Sequence, residues 1–277
     1  MALGRPKAFI PYLPGPKTGV VNPKCYAAPL RNCSAEMSGE HYISHGLLKS
    51  LSEDGVMIEI EGVPWLKDSE RKKFPTKRLV SNILCKRHNE ALAGLDSIAN
   101  RFFLSIDKID KSYETVHQRD EEMIFDFNGH DIERWMLKTL CGLVYSGISS
   151  SQSARIEAWK PNHQWLQILF GEDRFLSGWG FYGLARIYHE SVINRTFQCA
   201  PISNDSLGVY GSVTILNNKK FLLAMIRPPA NKEGTILAGY VYRPNDLVMT
   251  SGEHKKVIGL SWDLAGEGGS MVIQYMA

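Results

Sequence analysis

Three observations predict an α+β fold. Apolar residues recur at helical spacing through residues 89–109 and again through 132–143. From residue 180 onward the pattern changes to short alternating runs separated by turn residues, which reads as strands. Ahead of both, three of the five cysteines (Cys25, Cys33, Cys85) lie among His41, His45 and His88, and a sparse, odd cysteine set in a chain of 277 residues favours a metal over a disulfide framework.

Composition sets the outer limits. A chain 44% hydrophobic and 22% charged suits a globular protein with a real core. No apolar run is long enough to span a bilayer, and the N-terminal stretch has no continuous apolar segment of the secretory kind, so the cytoplasm is the expected compartment. Residues 1–87 hold 14 Lys and Arg against 8 Asp and Glu, whereas the remainder holds 18 against 21. Positive charge is therefore concentrated around the Cys/His cluster, where it can attract DNA or RNA or simply form a solvated face.

Taken in order, residues 1–24 are rich in Pro, Gly and Lys and read as an extended basic arm. Residues 25–148 form a zinc-supported domain with helices. It opens with Cys25 and Cys33, a loose metal spacing, followed by Glu40-His41 and a short helical pattern through Leu47, Leu48 and Leu51. Asp54-Gly55 is a turn before the alternation of Val56, Ile58 and Ile60. Residues 67–87 carry the densest positive charge, including Lys72, Lys73, Lys77, Arg78, Lys86 and Arg87, and lead into Cys85 and His88. From Asn89 the positions Leu92, Leu95, Ala99, Phe102, Ile106 and Ile109 mark one face of a long helix.

A second helix follows Gly129, with Asp131 as the predicted cap. Ile132, Trp135, Met136, Leu140 and Leu143 share its apolar face, with Glu133, Arg134 and Lys138 largely on the other. Ser149, Ser150, Ser151 and Ser153 suggest a boundary or mobile loop. Residues 149–277 then read as a β-rich domain: a short helix after Pro161 and seven strands in an antiparallel sheet or small sandwich, with Asn217-Asn218 as a hairpin turn. Cys141 and Cys199 fall inside apolar patterns and read as core thiols.

The chemistry lies in the first third. Zn2+ takes four N or S ligands in a tetrahedron, and Cys25, Cys33, Cys85 and His88 supply a closed Cys3His set, which is structural. Glu40, His41 and Asn89 stand outside that set. A histidine can take a proton from water, and carboxylate and amide oxygens can hold Mg2+ or Mn2+.

Cys33, Glu40-His41 and Cys85-x-x-His88-Asn89 together resemble the HNH endonuclease pattern on a ββα-metal, treble-clef-like core. The stretch from Glu40-His41-Tyr42-Ile43-Ser44 to Leu84-Cys85-x-x-His88-Asn89-x-x-Leu92 also resembles uncharacterised bacterial HNH-like proteins. The resemblance covers about residues 25–105. It implies His41 as general base, Glu40 and Asn89 as ligands of a catalytic divalent ion, and DNA as substrate. The chain departs from the pattern in its acid (Glu for Asp), in His88 at the place of a fourth cysteine, and in lacking a final histidine, whose place Asn89 or Asp96 must take; His45 is a rival base. Two further readings stay open: a zinc-supported module that binds nucleic acid without cutting it, and a nuclease effector in bacterial defence, controlled through its β-rich part by a partner or a second copy.

Overall fold

The computed structural model describes residues 6–52, 54–63, 66–67, 69–114, 120–148, 159–189, 196–204, 206–227, 237–263 and 268–275. The fold is mixed α+β, as predicted. The Ser-rich stretch from Ser149 lies outside the described residues.

Two antiparallel strands, β1 (Met37–His41) and β4 (Val80–Cys85), form the first sheet. Between them in sequence come α1 (His45–Leu51) and a small hairpin of β2 (Met57–Ile60) and β3 (Lys72–Pro75). The register between β1 and β4 shifts between Ser38 and Glu40, a local bulge that re-aims the end of β1. Strand β4 runs directly into α2 (Lys86–Glu114) with no loop residue, so the last residue of the strand, Cys85, and the first turn of the helix form one unit. Helix α2 is 29 residues long, about 43 Å at 1.5 Å per residue. Its face of Leu92, Leu95, Ala99, Phe102, Ile106 and Ile109 is buried as the spacing requires.

Helix α3 (Gly129–Tyr145) is capped by Asn128, whose Oδ1 accepts from the His130 N–H at 3.0 Å. The predicted cap, Asp131, instead accepts from the Phe9 backbone N–H. Nearly the whole circumference of α3 is buried, Glu133 and Lys138 included, because strands and α2 cover the face that the sequence reading assigned to solvent. A helix enclosed on all sides lies in the core, and its charges must then find partners there.

The second half builds two five-stranded sheets. One is antiparallel, in the order β11 (Tyr240–Tyr242), β6 (Gly180–Leu184), β10 (Lys219–Ala224), β9 (Gly208–Leu216), β8 (Phe197–Asn204). The other runs β5 (Ile124–Asn128), β13 (His254–Ser261), β12 (Asp246–Ser251), β14 (Ser270–Tyr275), β7 (Arg186–His189). In this sheet only β12 and β13 are antiparallel; β5–β13, β12–β14 and β14–β7 are parallel. The purely antiparallel expectation is thus corrected for this sheet. Asn217 and Asn218 turn β9 into β10 with φ of 47° and 64°, the left-handed pair that a two-residue hairpin demands.

Strand β5, which precedes α3 in the chain, completes the second sheet beside β13. One hydrophobic cluster runs from Cys25 and Leu92 through Trp135 to Phe221, Ile258 and Ile273. Residue 149 therefore does not separate two cores among the described residues. The physical reason is that α2 and α3 cannot bury their apolar surface against the small β1–β4 sheet alone, and the larger sheets complete the burial.

The arm at residues 6–17 is strapped over α2 and α3. The Phe9 N–H donates to both oxygens of Asp131, and Arg134 donates to the Phe9 carbonyl. The Phe9 ring lies over Gly94, where an added Cβ would come within 2.3 Å of it. Arg87 donates to the carbonyls of Pro14 at 2.5 Å and Pro16 at 3.4 Å.

A candidate metal centre beside a buried ion cluster

A tight 3-10 turn at Ala28–Leu30, ended by Arg31 in the left-handed conformation, folds the chain back between Cys25 and Cys33. The Tyr26 N–H donates to the Ile83 carbonyl of β4, and the Cys33 N–H donates to Val20. These bonds bring both thiols to the junction of β4 and α2. Cys25, Cys33, Cys85 and His88 are all buried, with ligand atoms within 4.8 Å of one another. The Sγ to Nδ1 distances from His88 are 3.5 Å for Cys25, 3.8 Å for Cys33 and 3.2 Å for Cys85. Zn–S and Zn–N bonds of tetrahedral geometry imply edges of about 3.6 Å, so the group can hold a metal ion such as zinc. The wide Cys25/Cys33 spacing is no obstacle, because the turn closes it.

Without an ion the hydrogen bonds among the thiols favour one thiolate, on Cys85, while burial pushes Cys33 up. The Cys85 sulfur is pulled down to about 2 by the Cys25 thiol, then by His88 and the amides of His88 and Ser34, while the same hydrogen bond and burial push Cys25 up. The Ser34 N–H lies 3.3 Å from the Cys85 sulfur. The other ring nitrogen of His88 is buried without a hydrogen-bond partner, and the ring packs at 4.9 Å from Phe170. Cys141 is fully buried and Cys199 approaches Thr214 Oγ1 at 3.7 Å, so neither joins the centre.

The three residues predicted to do chemistry have three different sets of neighbours. Glu40 is buried, and its carboxylate lies 2.5 Å from Lys138 Nζ, which also lies 2.6 Å from Asp96. Asp96 accepts a second hydrogen bond from Ser44 Oγ at 2.5 Å, and Ser44 accepts from Trp135 Nε1 at 2.7 Å. Burial raises the Glu40 carboxyl against the pull of Lys138. Burial also opposes the Lys138 charge, but the two carboxylates overcome it and hold the ammonium above its ordinary value.

His41 stacks on His45 with ring centroids 4.5 Å apart, and its Nε2 is buried without a hydrogen-bond partner among the described residues. Burial, then the neighbouring His45, lower His41 to about 4, with Asp96 opposing the shift. His45 Nε2 lies 3.4 Å from Thr76 Oγ1. Asn89 donates from Nδ2 to Ser38 Oγ at 2.9 Å, which fixes the amide against β1. Among the described residues, the Cys3His group is the one place where three or more His, Cys, Asp or Glu ligand atoms gather.

The predicted nucleic-acid contacts divide. Lys72, Lys73, Lys77 and Arg78 are exposed on β3 and the turn that follows it. That turn leads into Val80, which pairs with His41 across the first sheet. Lys86 pairs with Glu36 at 3.4 Å on the surface. Arg87 is committed to the arm carbonyls and is not a free cation. The sequence reading missed Lys138, because a lysine at an apparently solvated helix position gives no signal of burial.

No helix is long and apolar enough to cross a membrane among the described residues. Comparison with protein-family models, with curated proteins and with solved structures found no match in any of the three.

Proposed function

We propose that the protein is a zinc-stapled phosphodiester hydrolase of HNH type, acting on DNA or on RNA through the same phosphates. The observation that carries the reading is the Cys3His group at the β4–α2 junction. In this reading β1, β4 and α2 form a ββα-metal core. One ion would fasten the cysteine turn and the strand to the first turn of α2, next to Asn89 and to the sheet that ends in His41. The exposed Lys72, Lys73, Lys77 and Arg78 supply a positive surface for a phosphate backbone.

His41 keeps a neutral imidazole at physiological pH, but its depression to about 4 makes it a weaker base than an ordinary histidine, and its Nε2 is buried with no partner among the described residues, so the ring must turn to meet a water. It would take the proton of a water whose oxygen forms the new P–O bond as the bond to the leaving sugar oxygen breaks. Asn89 fits an oxygen ligand for Mg2+ or Mn2+, because Ser38 holds its amide nitrogen and leaves Oδ1 available. Such an ion would offset the charge on the phosphate. Glu40 fits the ligand role less well, since Lys138 lies 2.5 Å from its Oε1 and already offsets its charge.

That occupied carboxylate favours a second reading, a zinc-supported module that binds nucleic acid without cutting it. Plasmid nicking across divalent ions separates the two. His41→Ala should lower nicking by about 100-fold or more, the usual worth of a general base, with zinc content unchanged by elemental analysis. Equal nicking by that variant removes His41 from the mechanism. Salt-dependent binding with no cleavage in any ion selects the second reading.

A further inference from the structure

We infer that the Lys138 ammonium is the resident cation of the Glu40–Asp96 pair, and that no divalent ion binds at Glu40. The residue implied by family resemblance as a metal ligand is thereby a partner of a lysine. The inference deepens the proposed hydrolase reading, but its geometry holds whether or not the protein cuts nucleic acid.

Four observations support it. Lys138 is delivered from α3, a helix separate from both carboxylates, and its side chain is only 4% exposed. Its Nζ lies 2.5 Å from Glu40 and 2.6 Å from Asp96, so one ammonium bridges two acids as a small cation would. The remaining Asp96 oxygen is filled by Ser44, itself fixed by Trp135, so three of the four carboxylate oxygens have a protein partner without an ion. Asp96 keeps a side-chain exposure of 29%, so the cluster opens to solvent on one side and the exclusion of an ion is not merely a matter of access. A divalent ion entering between the acids would have to displace a charge that is already neutralising them.

Terbium luminescence reads this directly. Tb3+ takes hard oxygen ligands and leaves the thiolate centre to zinc. Trp135, one hydrogen bond from Ser44, is the antenna. The zinc-loaded wild-type protein should show no Tb3+ signal that Glu40→Gln removes. Lys138→Ala should gain one saturable site, and Glu40→Gln in that background should abolish it. Unchanged zinc content reports an intact β4–α2 junction in each variant. A wild-type signal lost on Glu40→Gln overturns the inference, as does a zinc-replete Lys138→Ala protein that binds no Tb3+. If Lys138→Ala does not retain zinc, the pair of wild type and Glu40→Gln decides alone. The readout needs no activity, so a failed nicking assay and a failed inference are distinguishable.

Discussion

Two lysine–aspartate clusters sit on the same long helix, and they differ in their exposure and in what stands beside them. Asp96 and Asp110 are both carried by α2, and each is contacted by a lysine from another element. At Asp110 the cluster is sealed. Lys219 lies at 2.9 Å with 1% side-chain exposure, Asn217 donates at 3.2 Å, and Tyr275 donates to the other oxygen. At Asp96 the cluster is as tightly bonded, but the acid is 29% exposed and His41 and His45 stand nearby. Strong hydrogen bonding alone therefore does not mark a functional site. Between the two, only the Asp96 cluster has an acid partly open to solvent and a histidine beside it without a hydrogen-bond partner among the described residues.

The largest test of that contrast removes what positions the open cluster. Cys85→Ser should abolish stoichiometric zinc and expose the β1–β4 amides to hydrogen exchange, because binding free energy at such a centre is folding free energy. Protection that survives in β1 and β4 would mean that the metal is not what holds His41 in place.

The next effect belongs to the sealed cluster. Lys219→Met leaves Asp110 charged and without its ammonium, and should cost about 3–5 kcal/mol in denaturant unfolding. Asp96→Asn should cost less, about 1–2 kcal/mol, since water can reach the altered group. Equal costs would show that the exposure of Asp96 has no energetic meaning.

The smallest effect is a titration. His41 is depressed from 6.5 to about 4, so the folded state prefers the neutral ring. Between pH 6.5 and 4 the unfolded chain binds more protons than the folded one. The contribution of His41 to stability is therefore complete above pH 6.5 and is lost as pH falls through about 4. NMR should place the His41 midpoint near 4 in the zinc-loaded protein, and His45→Ala should raise it by removing one cause of the shift. A midpoint at 6.5 would make His41 an ordinary surface histidine.

How much of this the sequence disclosed follows from how local each signal is. The Cys85/His88 spacing spans a strand end and a helix start, so it was readable, and the long apolar face of α2 was readable by its period. Asn217-Asn218 announced its hairpin through the conformation it needs. Lys138 and Glu133 gave no such signal. Their spacing on α3 describes a solvated face, and only the later sheets, distant in sequence, turn that face inward. Glu133 accepts from the Phe181 N–H at 2.8 Å and from Arg243 at 2.8 Å, partners about 50 and 110 positions away. Strands β5 and β12 have no clear signal of their own, because short runs with polar ends need their neighbours to be recognised. That one sheet spans residue 149 was hidden for the same reason, since a chain pattern does not reveal that β5 will cross to pair with β13.

The strap formed by residues 6–17 bears on how the protein can be dissected. Asp131 and Arg134 grip the peptide unit of Phe9, and Arg87 grips the prolines beyond it. A recombinant fragment trimmed to the cysteine turn would strip this cover from Gly94 and from the start of α3. A minimal version of the zinc-bearing part must therefore begin ahead of Phe9, and a protease cut between the strap and Cys25 would release a peptide whose loss loosens two helices at once.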